Sequence, residues 1–210
     1  VTPDNVPFLL QLFGCVISWT FYHTQVRKAV KAEVMAGICK AMADYLGTRE
    51  QPQIQSALSD VIVYTETLRA LIHAAETNPV PSRSGLAAPN PTQLAVAHII
   101  GVERHPQILQ ILREFCGSGP LMAPGSHEMA NPEIGPHIRR YFVGKDERAP
   151  ERFQMLHLAW EYVGDSFGSR QLLYEMLNSG TLAQNKIRLF HSYDLSPYVR
   201  LAKELAGIST

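Results

Sequence analysis

The clearest periodicity lies in residues 54–75. Ile54, Leu58, Val61, Thr65, Leu68, Ile72 and Ala75 alternate spacings of four and three, a heptad-like seam for a neighbouring helix. That helix ends near Asn78-Pro79. Before it, from Phe21 to Tyr45, Val26, Val30, Val34, Ile38 and Met42 recur every fourth residue with Lys28, Lys31 and Lys40 off the row, and Gly47 follows Leu46 as a C′ stop. Residues 79–90 form a Pro/Ser/Gly loop, and Asn90-Pro91 reads as N-cap plus first turn of a third helix. Pro106 is expected to kink or split that helix, and Ile108, Ile111, Leu112 and Phe115 continue its apolar face.

The rest is less regular. Cys116 to Asn131 is rich in Gly and Pro, and Asn131-Pro132 opens a short helix toward Tyr141. Glu151 to Leu177 reads as one long helix with Leu156, Ala159, Val163 and Phe167 on one face. Ser196-Pro197 caps a last helix, Pro197 to Leu205. No segment shows a convincing strand pattern. Long helices with few connections imply an all-α, antiparallel four-helix bundle with extra short helices.

Composition narrows the function classes. A chain of 210 residues fits one medium domain, and 46% hydrophobic with 18% charged residues is globular. Lys+Arg and Asp+Glu both number 19, so no general charge draws the chain to nucleic acid or an acidic membrane. Cys15, Cys39 and Cys116 are widely spaced and read as buried thiols of a reducing compartment. Residues 6–22 are apolar, but Gln11, Ser18 and Thr20 interrupt them. They fall short of a membrane span, no basic region precedes them as in a signal peptide, and a core segment is the expected role. Val1-Thr2-Pro3 leads at once into apolar sequence, as in a fragment of a longer chain, so residues 1–20 are expected to lead in from a preceding domain and residues 21–210 to form the helical domain.

Candidate chemistry is sparse. The eight histidines are scattered and read as surface or capping residues, with no metal site. Ser126-His127 is a neighbour pair in a loop. Gly117-Ser118-Gly119 is too short for a dinucleotide fingerprint and follows a helix, so it serves either as a cap and turn or as a close approach to a ligand. In the run from Gly164 to Glu175, two glycines inside a helix cost about 1 kcal/mol each relative to Ala. Gly164 and Gly168, four apart, clear one helix face for another helix or for a flat ligand, with Ser169 and Arg170 beside it.

That run, Phe167-Gly168-Ser169-Arg170-Gln171-Leu172-Leu173-Tyr174-Glu175, resembles a segment near the C-terminus of the 4-hydroxyphenylacetate 3-monooxygenase oxygenase family. So do Phe21-Tyr22-His23-Thr24-Gln25-Val26-Arg27 and Glu66-Thr67-Leu68-Arg69-Ala70, while Asn90-Pro91, the Gly117–Gly119 turn and Asn131-Pro132-Glu133 fall in the expected order. The resemblance covers the chain from about Trp19 to Leu205. It implies the C-terminal bundle of an acyl-CoA dehydrogenase-like fold, in a two-component enzyme that hydroxylates a phenolic substrate ortho to its hydroxyl. The resemblance implies a bundle that forms a tetramer core and use of reduced FAD (FADH2) from a separate flavin reductase; the chain itself is expected to be cytoplasmic and a homotetramer or homodimer. The bundle's part is to contact FAD and to oligomerise, with the catalytic acid–base residues outside this chain. In related dehydrogenases an Arg on the first bundle helix and a Gly-rich turn reach FAD across a subunit interface. Arg27 and Gly117-Ser118-Gly119 sit at similar places, although the dehydrogenase Gln-x-x-Gly-Gly pattern is not reproduced. Gly168, Ser169 and Arg170 are the flavin-side residues that the resemblance implies. An iron–sulfur branch of this fold places a Cys seven residues after a His; here the residue seven after His23 is Val30. The competing reading is a non-catalytic helical oligomerisation module, for which the 54–75 seam suffices.

Overall fold

The computed structural model describes residues 5–82, 85–145 and 149–208. Three long helices form its centre: α1 (Val6–Leu46), α2 (Pro52–Thr77) and α3 (Pro91–Cys116). The seam on α2 is real, with Val61, Thr65, Leu68 and Ala75 buried against the neighbouring helices. Cross-helix contacts fix the register. Tyr22 donates to Glu76 at 2.6 Å and Arg69 to Glu33 at 3.0 Å, so α1 and α2 are antiparallel. Gln25 meets His98 at 3.2 Å and Lys28, one turn on, lies against Gly101, so α1 and α3 run parallel.

Residues Ala149–Val163 (α7) and Ser166–Leu177 (α8) take the fourth position. The single helix expected from Glu151 to Leu177 is thus two. Gly164 and Asp165 both donate back to the Trp160 carbonyl, at 2.9 and 3.0 Å, and Asp165 turns extended as the N-cap of α8. The glycines serve this corner. A Cβ on Gly168 would stand 2.6 Å from the Glu161 and Tyr162 carbonyls, and one on Gly164 would meet the Trp160 ring. Close packing of α8 on the end of α7 therefore accounts for Gly168, and the Trp160 ring lying over the corner accounts for Gly164.

Other boundaries also move. α1 begins at Val6 and crosses residue 20 without a break, so the expected lead-in is helical from Val6 onward. Residues 6–20 project past the end of α2 by roughly 20 Å at 1.5 Å per residue. Phe8, Leu12, Val16 and Trp19 are exposed there instead of forming core. The every-fourth row on α1 is corrected in its first half: Val26 and Val30 face outward, whereas Ile38 and Met42 are buried as expected, and a buried seam runs through Phe21, Gln25, Lys28, Ala32, Met35, Cys39 and Met42. That set repeats every 3.5 residues, the period needed to keep a seam against a neighbour. Pro106 does not split α3, because Val102, His105, Ile108 and Leu109 pin the helix on both sides of it.

The connections add detail. Asn90 caps α3 as expected, accepting from the Thr92 amide at 3.0 Å. The 79–90 loop holds a two-residue ladder, β1 (Val80–Pro81) with β2 (Ala87–Ala88), where no strand was expected. Two short helices, α4 (Gly119–Met122) and α5 (Ser126–Ala130), lie within the stretch read as irregular. They precede α6 (Gly135–Tyr141). An unanticipated helix, α9 (Leu182–Ser192), packs on α3. In α10 (Ser196–Leu205) the N-cap is Leu195 in place of Ser196, and every residue is exposed. Cys39 and Cys116 are buried thiols, pushed up by burial to about 12 and about 11, and the side chain of Cys15 lies outside the described residues.

Candidate functional site

The densest polar arrangement lies where α8 crosses α1, between residues that the α1 seam brings inward. Glu175 of α8 is fully buried, with 0% side-chain exposure. Its carboxylate accepts from Arg27 at both oxygens, Nε to Oε1 and Nη2 to Oε2, each at 3.1 Å. Lys31 Nζ donates to Oε1 at 2.7 Å and to Gln171 Oε1 at the same distance. Lys28 Nζ, also fully buried, stands 3.8 Å from Oε2. Arg27 Nη1 donates to the Tyr174 hydroxyl at 3.2 Å. A bidentate guanidinium–carboxylate pair is among the stronger hydrogen-bonded contacts, and burial raises the cost of breaking it. Although burial pushes Glu175 up, the hydrogen bonds from Arg27 and Lys31 hold its carboxyl below the ordinary value.

Behind Glu175 the cluster continues into the bundle. Lys28 Nζ and Gln25 Oε1 have no hydrogen-bond partner among the described residues. Burial lowers Lys28 to about 8 against the pull of Glu175. Gly101 of α3 makes room for it, since a Cβ there would lie 3.0 Å from Lys28 Cδ and 3.2 Å from Nζ. His98 stacks on Phe21 with ring centroids 4.7 Å apart. His98 and His105 are buried, in contrast to the expected surface or capping roles, because α3 turns both into the interface with α1 and α2. Burial lowers each to about 4, with Lys28 adding repulsion. Tyr64 of α2 donates to the Gly101 carbonyl at 3.4 Å, and its phenol is raised by burial and by Glu175. Four helices thus meet around one carboxylate.

The expected site residues fall into two places. Arg27 is in the cluster, and Gly168, Ser169 and Arg170 lie one to two turns N-terminal to Glu175 on α8. Gly168 is buried in the corner, whereas Ser169 and Arg170 are exposed. Gly117, Ser118 and Gly119 lie elsewhere. The α1–α3 register puts them level with the end of α1, roughly 25 Å along the bundle from Arg27 at 1.5 Å per residue. There they line a cavity of about 260 Å³ with Cys116, Phe142, Arg152 and Leu156. Gly117 has φ +55°, and a Cβ on Gly119 would strike Leu156 at 2.7 Å. Ser126 and His127 are exposed at the start of α5. Sequence reasoning missed Lys28, Lys31, Gln25, His98 and Glu175 as one cluster. The 3.5-residue row through Phe21, Gln25, Lys28, Ala32 and Met35 was the signal that would have found its α1 half.

A family model described as "HpaB: 4-hydroxyphenylacetate 3-hydroxylase C terminal" matches residues 11–207. Among curated proteins, the chain is similar to a (3S)-3-amino-3-(3-chloro-4-hydroxyphenyl)propanoyl peptidyl-carrier-protein monooxygenase of Streptomyces globisporus. The two are 34% identical over 178 residues, which cover 83% of this chain and 34% of that protein. It is 29% identical over 171 residues to the 4-hydroxyphenylacetate 3-monooxygenase oxygenase component of Thermus thermophilus, covering 81% of this chain and 35% of that one. The chain therefore spans about a third of the length of these relatives. Among solved structures it is similar to the oxygenase component (HpaB) of 4-hydroxyphenylacetate 3-monooxygenase complexed with FAD. The TM-score is 0.83 at 27% identity, over 88% of this chain and 39% of that one. An oxygen-tolerant archaeal 4-hydroxybutyryl-CoA dehydratase from N. maritimus shares the fold, with TM-score 0.80 at 22% identity over 93% of this chain and 40% of that one.

Proposed function

The chain belongs to the 4-hydroxyphenylacetate 3-hydroxylase C-terminal family, and from that premise we propose that it is the FAD-contacting, oligomerising part of a two-component aromatic monooxygenase. The reaction is hydroxylation of a phenolic substrate ortho to its hydroxyl, with reduced FAD delivered by a separate flavin reductase in the cytoplasm. The observation that carries this reading is the family match over residues 11–207. Among the described residues no helix is long and apolar enough to cross a membrane.

The residues present fit an anionic, flat cofactor. Arg27 has five N–H groups and spends three on Glu175 and Tyr174; Lys31 has three and spends two. Arg170 is exposed and forms no ion pair among the described residues. Arg27, Gly168, Ser169 and Arg170 would hold the cofactor on one side. Gly117, Ser118 and Gly119, too distant to enclose the same molecule from one chain, would meet one bound chiefly by another copy. FAD supplies the oxygen-activating chemistry when bound, and the part of this chain is to bind, orient and exclude water. The exposed apolar faces of α8, α9 and α10 support a homotetramer or homodimer in place of a free bundle.

The test uses the full-length protein with a flavin reductase, NADH, oxygen and 4-hydroxyphenylacetate or a related phenol. Catechol product should form in step with NADH oxidation, catalase being present to remove peroxide. Sedimentation should show an oligomer at micromolar concentration. Assembly without binding of reduced FAD and without catechol from any phenol tried would favour a helical oligomerisation module instead.

A further inference from the structure

The cavity at the far end of the bundle from Glu175 holds a cation without a counter-ion. Its walls come from the end of α3, the Gly117–Gly119 turn, Phe142 just after α6 and the first two turns of α7. Among the described residues, Arg152 is the one charged group on those walls. Its Nη1 meets the Val143 carbonyl at 3.5 Å, the outer limit of a hydrogen bond. Its Nε is buried and has no partner, and the guanidinium forms no ion pair among the described residues. Cys116, the other ionisable side chain on the wall, is pushed up by burial to about 11 and stays a neutral thiol. Nothing on the wall therefore offers Arg152 a negative charge.

The rest of the wall sets the complement. Phe142 meets Phe153 edge-on with ring centroids 5.9 Å apart, and Phe153 and Leu156 are buried. The Gly119 backbone lies directly on Leu156 and closes one end. About 260 Å³ falls below the usual range for a drug-sized ligand, so the space suits a small molecule. The unspent Nε and Nη2 donors share one edge of the planar guanidinium, the edge that takes two carboxylate oxygens side by side. One cation is balanced by one negative charge, which favours a carboxylate over a phosphate dianion. The aromatic and aliphatic walls favour a ring beside it.

We propose that this cavity binds a small aryl carboxylate, with the carboxylate on the Arg152 fork and the ring against Phe142 and Phe153. The site uses none of Arg27, Gly168, Ser169 and Arg170, and shares only the Gly117–Gly119 turn with the flavin reading above. It stands on the unmatched guanidinium and the apolar walls, whether or not that reading holds.

The experiment reads the cavity locally through Cys116. Phenylacetate is titrated into the full-length protein while methyl methanethiosulfonate labels its thiols, and the labelling rate of the Cys116 peptide is followed by mass spectrometry. Cys39 is buried and does not line the cavity, so it reports any general opening of the bundle. Phenylacetate should slow labelling of Cys116 saturably and leave Cys39 unchanged. Phenylacetamide, which has the same shape without the charge, should need about tenfold more for equal protection, the scale of a hydrogen bond to a charged group. Arg152→Met should weaken protection by phenylacetate about tenfold or more, and Arg152→Lys, which keeps the charge without the fork, should fall between. The amide comparison is made on the unsubstituted protein, so it decides the matter even if Arg152→Met folds poorly. Equal protection by the amide, full protection in Arg152→Met, or no protection by millimolar phenylacetate overturns the proposal. Protection by FAD but not by phenylacetate also overturns it, and gives the cavity to the flavin.

Discussion

Leu68 on α2 and Leu201 on α10 occupy the same kind of position, the apolar stripe of an amphipathic helix. Yet Leu68 is wholly buried and Leu201 is more than half exposed. The contrast extends to their surroundings. α1, α2 and α3 close on one another around Met35, Ile38, Val61, Leu112 and their neighbours. On the outer layer Phe190 of α9 is 65% exposed and Leu205 of α10 is 81% exposed. Periodicity states that a face is to be covered, and is silent on whether the same chain covers it. In the centre this chain does; in the outer layer, on the reading above, other copies or other domains do.

Glu175 is the joint between the two regions, and its removal is the largest effect expected of a single substitution. In Glu175→Ala, Arg27, Lys28 and Lys31 would lose the one counter-charge they share among the described residues while still largely buried. Breaking a buried pair in this way costs about 3–5 kcal/mol. Urea denaturation should register that loss, and one below about 1 kcal/mol would mean that the cluster does not hold α8 to the centre.

The two leucines give the next contrast. Leu68→Ala should cost about 2–5 kcal/mol, the range for truncating a buried leucine. Leu201→Ala should stay within about 0.5 kcal/mol in the isolated chain. The comparison is made by urea denaturation at concentrations low enough to disfavour assembly. Equal losses would show that α10 is covered in solution even without a partner.

Acid should act on the centre through its histidines. His98 and His105 fall from an ordinary value of 6.5 to about 4 when folded, chiefly through burial. Between those values the unfolded chain binds more protons than the folded one, so stability drops as pH falls from 6.5 to 4. Each group fully titrated across that window contributes about 3 kcal/mol to the drop. Glu175, held below its ordinary 4.5, adds its own loss only at lower pH. A His98→Gln/His105→Gln variant should flatten the stability curve between pH 6.5 and 4, as followed by thermal unfolding. A curve as steep as that of the parent would place the acid sensitivity outside this face of α3.

Legibility in the sequence follows the same division. The α2 seam was readable residue by residue because both its neighbours come from this chain. Only the first half of the α1 row failed, because counting in fours drifts around the helix from the exposed Val26 and Val30 to the buried Ile38 and Met42, whereas the seam repeats every 3.5 residues and admits Gln25 and Lys28. The break at Gly164-Asp165 was hidden by an apolar rhythm that continues from α7 into α8 across the corner. Both glycines there were noticed, but whether a helix or a ligand used the cleared space was a question of distance, and the Glu161 and Tyr162 carbonyls answer it at Gly168. Glu175 was visible only as part of a family-like run. Its partners lie some 150 residues earlier in the chain, and no local pattern joins them.

The smallest effect tests whether the outer layer unfolds as a unit of its own. α9 opens with a capping box: Thr181 Oγ1 accepts from the Gln184 amide at 3.3 Å, and Gln184 Oε1 accepts from the Thr181 amide at 2.9 Å. The Thr-x-x-Gln spelling stands in the sequence, but α9 is only 11 residues long, too short for its apolar rhythm to mark it off from the surrounding loops. Removing such a cap costs about 1 kcal/mol. If α9 opens locally while α1–α3 stay closed, Thr181→Ala should speed hydrogen exchange of α9 amides about fivefold and leave α2 amides unchanged. Asn185 and Arg188 tie α9 inward, the one buried and the other 5.9 Å above the Phe21 ring, so a coupled response is the physical alternative. Equal acceleration at Leu68 and at α9 would show one cooperative body, in which the outer layer differs from the centre in what covers it and not in how firmly it is held.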